Sequence, residues 1–172
     1  MDPDLAQALR AAVGELHAHT APVLWDHHGH TVLERVGASL LPVGQAGAAV
    51  AHARGLCRES AAHHDPDDFV TGNLRHQLAV LCAQAGDQVG AIAEFEAVRD
   101  DQARRHGPDS ASVLSTRALI AGLRGQVRDP AGAVADHAAL PADYTRLYGP
   151  DNVVTRSCRR NLAYWRSVAD AT

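Results

Sequence analysis

The segment GPDSASVLSTRALIAG at residues 107–122 returns 42 residues later as GPDNVVTRSCRRNLAY at residues 149–164. The Gly-Pro-Asp turn is repeated unchanged, and Asp65-Pro66-Asp67 stands one period earlier. The same spacing relates three arginines, three aliphatic residues and the alanine after each: Arg75, Arg117 and Arg159; Leu78, Ile120 and Leu162; Ala79, Ala121 and Ala163. A fixed period of this length is typical of repeat proteins, in which each unit packs on its neighbours.

Each unit is predicted to contain two helices. In the second unit, Leu74, Leu78 and Leu81 follow the spacing of a helical face, and Gly86 marks the helix end. In the third unit, Asp129-Pro130 has the pattern of an N-cap residue followed by proline at the first helical position. Pro141 is expected to end or kink the second helix of that unit.

This two-helix unit resembles the tetratricopeptide repeat (TPR), in the longer, kinesin-light-chain-like form common in actinobacterial proteins. The resemblance rests on Gly149-Pro150-Asp151 and on SCRRNLAYW at residues 157–165, where that family often reads close to TTRxNLAYW. It covers about residues 23–172 and is expected to extend to the fold. The resemblance implies an all-α, right-handed solenoid of antiparallel helix pairs with about three and a half repeats.

The chain is therefore predicted to form one helical-repeat domain over residues 1–172. An N-terminal cap at 1–22, with a helix over 3–18, precedes a degenerate first repeat at 23–64. Two regular repeats follow at 65–106 and 107–148, and 149–172 supplies a final half-repeat.

The resemblance also implies where a partner would bind. In TPR arrays the first helix of each unit lines a concave groove, and extended peptides dock there. The predicted groove residues are Asn73, His76, Gln77, Val80, Gln84, Ser115, Leu119, Gln126, Arg160, Asn161 and Tyr164, with Thr31, Glu34, Arg35 and Ala38 from the first unit. The function implied is that of an adaptor that binds a peptide or partner protein.

Three of these residues suggest specific chemistry. Asn161 and Gln77 occupy the position where peptide-binding family members often hold the ligand backbone with an asparagine. A side-chain amide both donates and accepts a hydrogen bond, so it can bind peptide independently of sequence. Arg160 could bind a carboxylate through both guanidinium arms, but Leu119 replaces the amide in the third unit, which argues against a complete two-carboxylate clamp. The alternative is that these are ordinary solvated or interhelix polar residues.

Two further groups have mainly structural explanations. The repeated Arg75, Arg117 and Arg159 are expected to join stacked units or to pair with the aspartates of the turns. The adjacent Tyr164 and Trp165 would be costly to expose on a terminal helix. They predict that this end packs on a further domain or on a second copy in a homodimer.

Composition excludes several classes of protein. The net charge of -4 and the scattered arginines give no footprint for nucleic acid. No apolar run reaches the ~18 residues of a membrane span, and the acidic N-terminus is unlike a signal peptide. The odd, widely spaced Cys57, Cys82 and Cys158 favour reduced thiols in the cytoplasm.

The sequence shows no motif that predicts an enzyme. GxSxG, P-loop and glycine-rich dinucleotide patterns are absent, and no cofactor is expected. His27, His28 and His30 are weak candidates for a metal site because no HExxH motif or spaced cysteine pair accompanies them. The competing hypothesis is a small-ligand or metal-binding receptor or enzyme on a shortened helical-repeat scaffold.

Overall fold

The computed structural model describes residues 7–8, 11–12, 14–15, 19, 30–42, 44–64, 68–127 and 129–171. Within residues 30–171 these form helices and turns, with no strand among the described residues. The helices are α1 His30–Ala38, α2 Ala46–His63, α3 Phe69–Gln84, α4 Gln88–His106, α5 Ala111–Gln126, α6 Pro130–Tyr148 and α7 Val153–Asp170. The predicted helix over 3–18 falls largely outside the described residues, and the turn at 65–67 falls wholly outside them.

The helices repeat at the interval found in the sequence. The first helices α3, α5 and α7 begin at Phe69, Ala111 and Val153, each 42 residues after the last. The second helices α2, α4 and α6 keep the same interval. The all-α prediction is confirmed, and two helices occur in each of the stretches 65–106 and 107–148.

The chain divides into two compact units that are larger than the 42-residue repeats. The first compact unit is Met1–Leu81 and the second is Cys82–Thr172. In the first unit, Leu33 of α1, Leu56 of α2 and Leu74 of α3 form the core. Polar contacts also connect these helices: the Ser60 and Thr71 hydroxyls are 2.8 Å apart and buried. The helices of this unit are therefore held by one leucine cluster and by buried hydrogen bonding.

In the second unit, three helices supply one core. Leu114 of α5, Leu140 and Tyr144 of α6, and Cys158 of α7 pack together. Alanines lie where the helices approach most closely, and Ala91, Ala121 and Ala133 are fully buried. Small side chains there allow close contact between backbones.

The turns and caps also repeat. Gly107 and Gly149 follow α4 and α6 with φ of 84° and 86°, a region that favours glycine. At the helix starts, Asp87 accepts a hydrogen bond from the Gly90 N–H at 2.9 Å, and Asp129 accepts one from the Gly132 N–H at 2.8 Å. The predicted N-cap at Asp129 is thus confirmed, and Asp87 caps the equivalent helix one repeat earlier.

The structure corrects the expectation that Pro141 ends its helix. Helix α6 continues through Pro141 to Tyr148. Proline removes one backbone hydrogen bond, but Leu140 and Tyr144 on either side are buried in the core. Packing of these neighbours stabilises the helical path across the proline.

Two of the three repeated arginines join helices: Arg117 does so within one repeat and Arg159 between neighbouring repeats. Arg117 donates to Asp143 of α6 at 3.0 Å. Arg159 of α7 donates to the Pro150 carbonyl at 3.3 Å and to the Thr145 hydroxyl of α6 at 3.1 Å. These contacts join successive helices, and neither arginine pairs with the turn aspartate of its own unit.

Along the described part of the chain, every helix is too short or too polar to cross a membrane.

Candidate functional site

The predicted groove residues lie on the first helices of the units, mostly facing solvent. Those whose burial is described are exposed, except for the half-buried Glu34, His76 and Val80. The exposed fraction is 44% for Leu119 and 59% for Tyr164, both large apolar side chains. The interval of three or four residues between members places them along one side of each helix.

In the second unit, α5 and α7 lie side by side. Leu114 and Cys158, near the two helix starts, share the core cluster. Near the two helix ends, Gly125 lies against Trp165, and a β-carbon at Gly125 would overlap the indole ring. Leu114 and Cys158 both pack in the cluster with Leu140 and Tyr144 of α6, and Gly125 and Trp165 meet near the opposite ends of α5 and α7, so the two helices run parallel. We define the α5/α7 face as the exposed residues Ser115, Leu119, Gln126, Arg160, Asn161 and Tyr164.

The α5/α7 face combines apolar surface with an available amide. The Tyr164 ring stands edge-on to Trp165 with 4.9 Å between ring centroids, which restricts its orientation. Asn161 occupies the place in α7 that Leu119 occupies in α5. Its amide makes no hydrogen bond within the described part of the chain and can therefore donate to and accept from a ligand.

Two members of the α5/α7 face are already engaged within the chain. Ser115 hydrogen-bonds with Tyr144, which partly offsets the rise in the pKa of Tyr144 caused by burial. Arg160 donates to the Ser157 hydroxyl at 3.0 Å on its own helix. A partner that binds Ser115 or Arg160 would therefore have to replace a hydrogen bond within the chain, whereas one that binds Asn161 would not.

Trp165 has a packing partner within the described part of the chain, while packing of this end on a further domain or a second copy stays a prediction. The side chain is half-buried within this chain, because its indole covers Gly125. Tyr164 is the part of the aromatic pair that remains mainly exposed. Gly125 and Trp165 lie on neighbouring first helices, and a glycine leaves room for an aromatic ring. This sequence signal could have predicted the burial of Trp165, but aligning the repeats does not reveal it.

In the first unit, the predicted residues Asn73, His76, Gln77 and Val80 lie on α3. Burial lowers the pKa of His76 below its ordinary value. Gln77 lines a cavity of about 150 Å³ whose wall also contains Glu34 and Arg35 of α1. We call it the unit 1 cavity; its other lining residues are Gly37, Ala38, His52, Ala53, Leu56, Leu74 and Leu81. Sequence comparison placed Glu34, Arg35 and Gln77 on first helices but could not reveal the cavity between them.

A buried histidine was missed. His137 of α6 is 1% exposed, and neither ring nitrogen has a hydrogen-bond partner among the described residues. Burial lowers its pKa, while neighbouring Asp136 acts in the opposite direction. Its equivalent in α4 is the buried Phe95, 42 residues earlier. That alignment was the available signal, because a position taken by phenylalanine in one unit predicts burial in the next.

Only one of the three weak metal candidates, His30, lies within the described residues. His27 and His28 lie outside the described residues, and His30 is the first residue of α1. Across the described ranges, no group of three or more His, Cys, Asp or Glu side chains could hold a metal ion. Cys57, Cys82 and Cys158 form no disulfide bond among the described residues.

Comparison with solved structures identifies the fold. BtubC (BKLC) from P. vanneervenii matches with a TM-score of 0.67 and 17% sequence identity, over 96% of this chain and 65% of that chain. TPR-like repeats of the kinesin light chain kind from Podosopora anserina match with a TM-score of 0.65 and 16% identity, over 78% and 64%. A variant of that protein matches with a TM-score of 0.66 and 16% identity, over 85% and 66%.

These likenesses show that the chain has a TPR-like helical-repeat fold. The chain spans slightly less than two thirds of the length of each of the three solved chains. No family model matches the sequence, and no curated protein matches it.

Proposed function

We propose that this protein is an interaction module, rather than an enzyme, and that it binds an extended partner segment on the α5/α7 face. The observation that carries the proposal is the arrangement of exposed Leu119 and Tyr164 with the available amide of Asn161 on two packed helices. Apolar side chains supply contact area, while an amide fixes the direction of a peptide backbone.

Rigidity supports this role. Leu114 and Cys158 hold α5 and α7 through the shared core, and the Tyr164 ring is restrained by Trp165. A surface whose helices are held before binding loses little conformational entropy when a ligand arrives. TPR-like folds typically mediate protein interactions, which agrees with the proposal at the level of fold.

Two finer assignments accompany the proposal. The equal intervals between helix starts support placing the units in the 42-residue, kinesin-light-chain-like group of repeats. The lack of a disulfide bond between Cys57, Cys82 and Cys158 in the described residues supports a reducing compartment such as the cytoplasm.

The test uses two leucines with nearly equal exposure on different helices. Leu119 on α5 is 44% exposed, and Leu147 on α6 is 43% exposed. Only Leu119 belongs to the α5/α7 face. Wild type, Leu119→Asp, Leu147→Asp and Asn161→Ala are immobilised, and the proteins retained from host lysate are identified by mass spectrometry. Circular dichroism first establishes that all four chains are equally helical.

We expect a partner that wild type and Leu147→Asp retain and that Leu119→Asp and Asn161→Ala lose. Equal retention by all four chains would contradict binding on the α5/α7 face. A homodimer through Tyr164 is distinguished by light scattering, because it would double the molar mass of wild type and Tyr164→Ala would return it to that of one chain.

A further inference from the structure

Two arginines of α5 pair with carboxylates of the helix that covers them. Arg117 donates to Asp143 of α6 at 3.0 Å, and Arg124 donates to Asp136 of α6 at 2.6 Å. The two aspartates lie seven residues apart, which is about two helical turns and keeps both on one side of α6. Helix α6 therefore binds α5 through a pair of carboxylates with a defined spacing.

The corresponding side of α7 carries the same arginines but has no such helix among the described residues. Arg159 and Arg166 follow the two α5 arginines by 42 residues, and both are exposed. Arg159 donates only to a carbonyl and a hydroxyl oxygen, and Arg166 makes no hydrogen bond or ion pair within the described part of the chain. Ala163 is also exposed, whereas its equivalent Ala121 is fully buried.

Two apolar positions on this side are arginines in α7. Arg156 stands in the place of Leu114, and Arg160 in the place of Ala118. Leu114 and Ala118 pack in the cluster with Leu140 of α6, whereas both arginines are exposed. A leucine-bearing helix such as α6 would therefore not suit this side of α7. We define the α7 arginine surface as Arg156, Arg159, Arg160 and Arg166.

The charge of the α7 arginine surface is not balanced within its helix. Residues 153–169 contain these four arginines and no aspartate or glutamate. Arg156 and Arg160 lie one turn apart, and like charges at this spacing destabilise a helix. An apolar occupant would remove water from unpaired guanidinium groups, and a basic occupant would add repulsion. An acidic occupant would supply the missing charge.

We propose that the α7 arginine surface binds an acidic helix of a partner protein, which lies on α7 as α6 lies on α5. Its carboxylates, seven residues apart, pair with Arg159 and Arg166, and a further acidic residue between them meets Arg156. Charge complementarity and the example of α6 on α5 both support this occupant. The inference goes beyond the α5/α7 face, since these three arginines lie outside that face and Arg160 alone belongs to both surfaces.

The first experiment compares helical peptides that differ in charge and in spacing. The acidic probe is an alanine-based peptide of about 20 residues with glutamates seven residues apart on one side of the helix. One control peptide has glutamine at each glutamate position, and the other has the same glutamates distributed around the helix. Fluorescence anisotropy measures the affinity of each labelled peptide for the full chain at low salt, and NMR of the ¹⁵N-labelled chain locates the binding.

We expect the acidic probe to bind about tenfold more tightly than either control peptide and to shift the amides of α7 more than those of α3. An acidic probe that binds no more tightly than the glutamine peptide would overturn the proposal. So would equal binding of the peptide with distributed glutamates, because α7 would then respond to charge without the spacing that α6 shows.

A matched pair of variants locates the site. Arg166→Gln removes one charge from the α7 arginine surface and should weaken binding of the acidic probe about fivefold. Arg58 of α2 is also exposed and makes no hydrogen bond or ion pair within the described part of the chain. Arg58→Gln therefore removes the same charge from the other compact unit and should leave the affinity unchanged. Equal affinities of the two variants would contradict binding on α7.

Two further measurements separate this surface from other interactions. Asn161→Ala, which tests the α5/α7 face, should bind the acidic probe as wild type does, so failure of one surface is distinguishable from failure of the other. Light scattering tests for a second copy on the α7 arginine surface. A molar mass that doubles in wild type but not in Arg166→Gln would assign the surface to self-association and overturn the proposal.

Discussion

His137 is a titratable side chain in an apolar position. The equivalent residue of α4 is Phe95, and both are almost fully buried. The imidazole has no hydrogen-bond partner among the described residues, so burial favours its neutral form. The free energy of unfolding therefore depends on pH through His137, whereas an apolar residue at this position would add no such dependence.

We expect stability to fall as the pH drops below 6.5. The pKa of His137 in the folded protein lies below its ordinary value of 6.5. Below pH 6.5 the unfolded chain takes up a proton that the folded chain does not, so acid favours unfolding until the folded pKa is passed. His137→Leu should raise the free energy of unfolding at pH 7.5 by about 1–3 kcal/mol and flatten its decrease between pH 6.5 and 5.

Urea unfolding at several pH values measures both effects. His76, whose pKa is also lowered by burial, leaves a residual slope in the variant. An unchanged slope in His137→Leu would contradict the assignment. NMR titration of the His137 ring in the folded protein provides an independent check, since its pKa should lie below 6.5.

Two glycines of α5 should respond oppositely to the same substitution. A β-carbon at Gly122 meets no atom within 4 Å, whereas one at Gly125 would overlap Trp165. Gly122→Ala should therefore stabilise the protein by about 0.5–1 kcal/mol, because alanine loses less backbone entropy in a helix. Gly125→Ala should destabilise it, because the indole must leave its place.

Thermal unfolding of both variants gives the sign of each effect. Trp165 fluorescence should shift to longer wavelength in Gly125→Ala and remain unchanged in Gly122→Ala. If Gly125→Ala were as stable as Gly122→Ala, the indole could not be packed on the glycine.

At the scale of the helix, the N-caps make a separate contribution to stability. Asp129 accepts from the Gly132 N–H, and a β-carbon at Gly132 would overlap the aspartate side chain. Removing an N-cap carboxylate typically costs about 1 kcal/mol. Asp129→Ala should lower the free energy of unfolding by that amount, and Asp129→Asn should recover most of it.

Asp109 provides the control for this prediction. Its carboxylate pairs with Arg146 at 3.2 Å, and both side chains are mainly exposed. Exposed ion pairs contribute little, so Asp109→Ala should cost less than about 0.5 kcal/mol. Equal losses in Asp109→Ala and Asp129→Ala, measured by urea unfolding, would show that charge rather than capping sets the effect.

The helices were more predictable than the contacts between them. The interval between Gly107 and Gly149 predicted the repeat, since a turn that needs a positive φ limits the residues available. The path of α6 through Pro141 was not predictable, because it depends on burial of Leu140 and Tyr144 by other helices. Local sequence specifies a helix boundary only where tertiary packing does not oppose it.

For the candidate sites, too, positions on a helix were predictable from sequence and contacts between helices were not. Helical spacing placed Leu119, Asn161 and Tyr164 on exposed first-helix surfaces. It did not reveal that Ser115 forms a hydrogen bond with Tyr144, nor that Glu34 lines a cavity. Such contacts depend on side chains from other helices, and periodicity along one helix carries no information about them.

At the scale of the whole molecule, each compact unit has its own core. Leu33 belongs to the first cluster and Leu140 to the second. Repeat proteins derive stability from each unit and its nearest neighbours, so damage to one cluster should remain partly local. Leu33→Ala should reduce hydrogen-exchange protection in α1–α3 more than in α5–α7, and Leu140→Ala should do the reverse.

Mass spectrometry after deuterium labelling measures this distribution. Each substitution removes a buried leucine side chain and should cost about 2–5 kcal/mol within its own unit. Equal loss of protection throughout the chain in both variants would instead show that the described helices unfold as one cooperative structure.

The turns and caps recur at the same 42-residue interval, and this has a consequence for the gene. The left-handed glycine after α4 and the one after α6 occupy matching positions, as do the aspartate caps before these helices. A coding segment cut at two matching points therefore encodes two helices with complete start and stop signals. In-frame duplication of that segment would insert one more helix pair. The new pair would be joined to its neighbours by the same kind of turn and cap as the original pair. Unequal recombination can thus change the length of such a gene while preserving the local rules of the encoded fold.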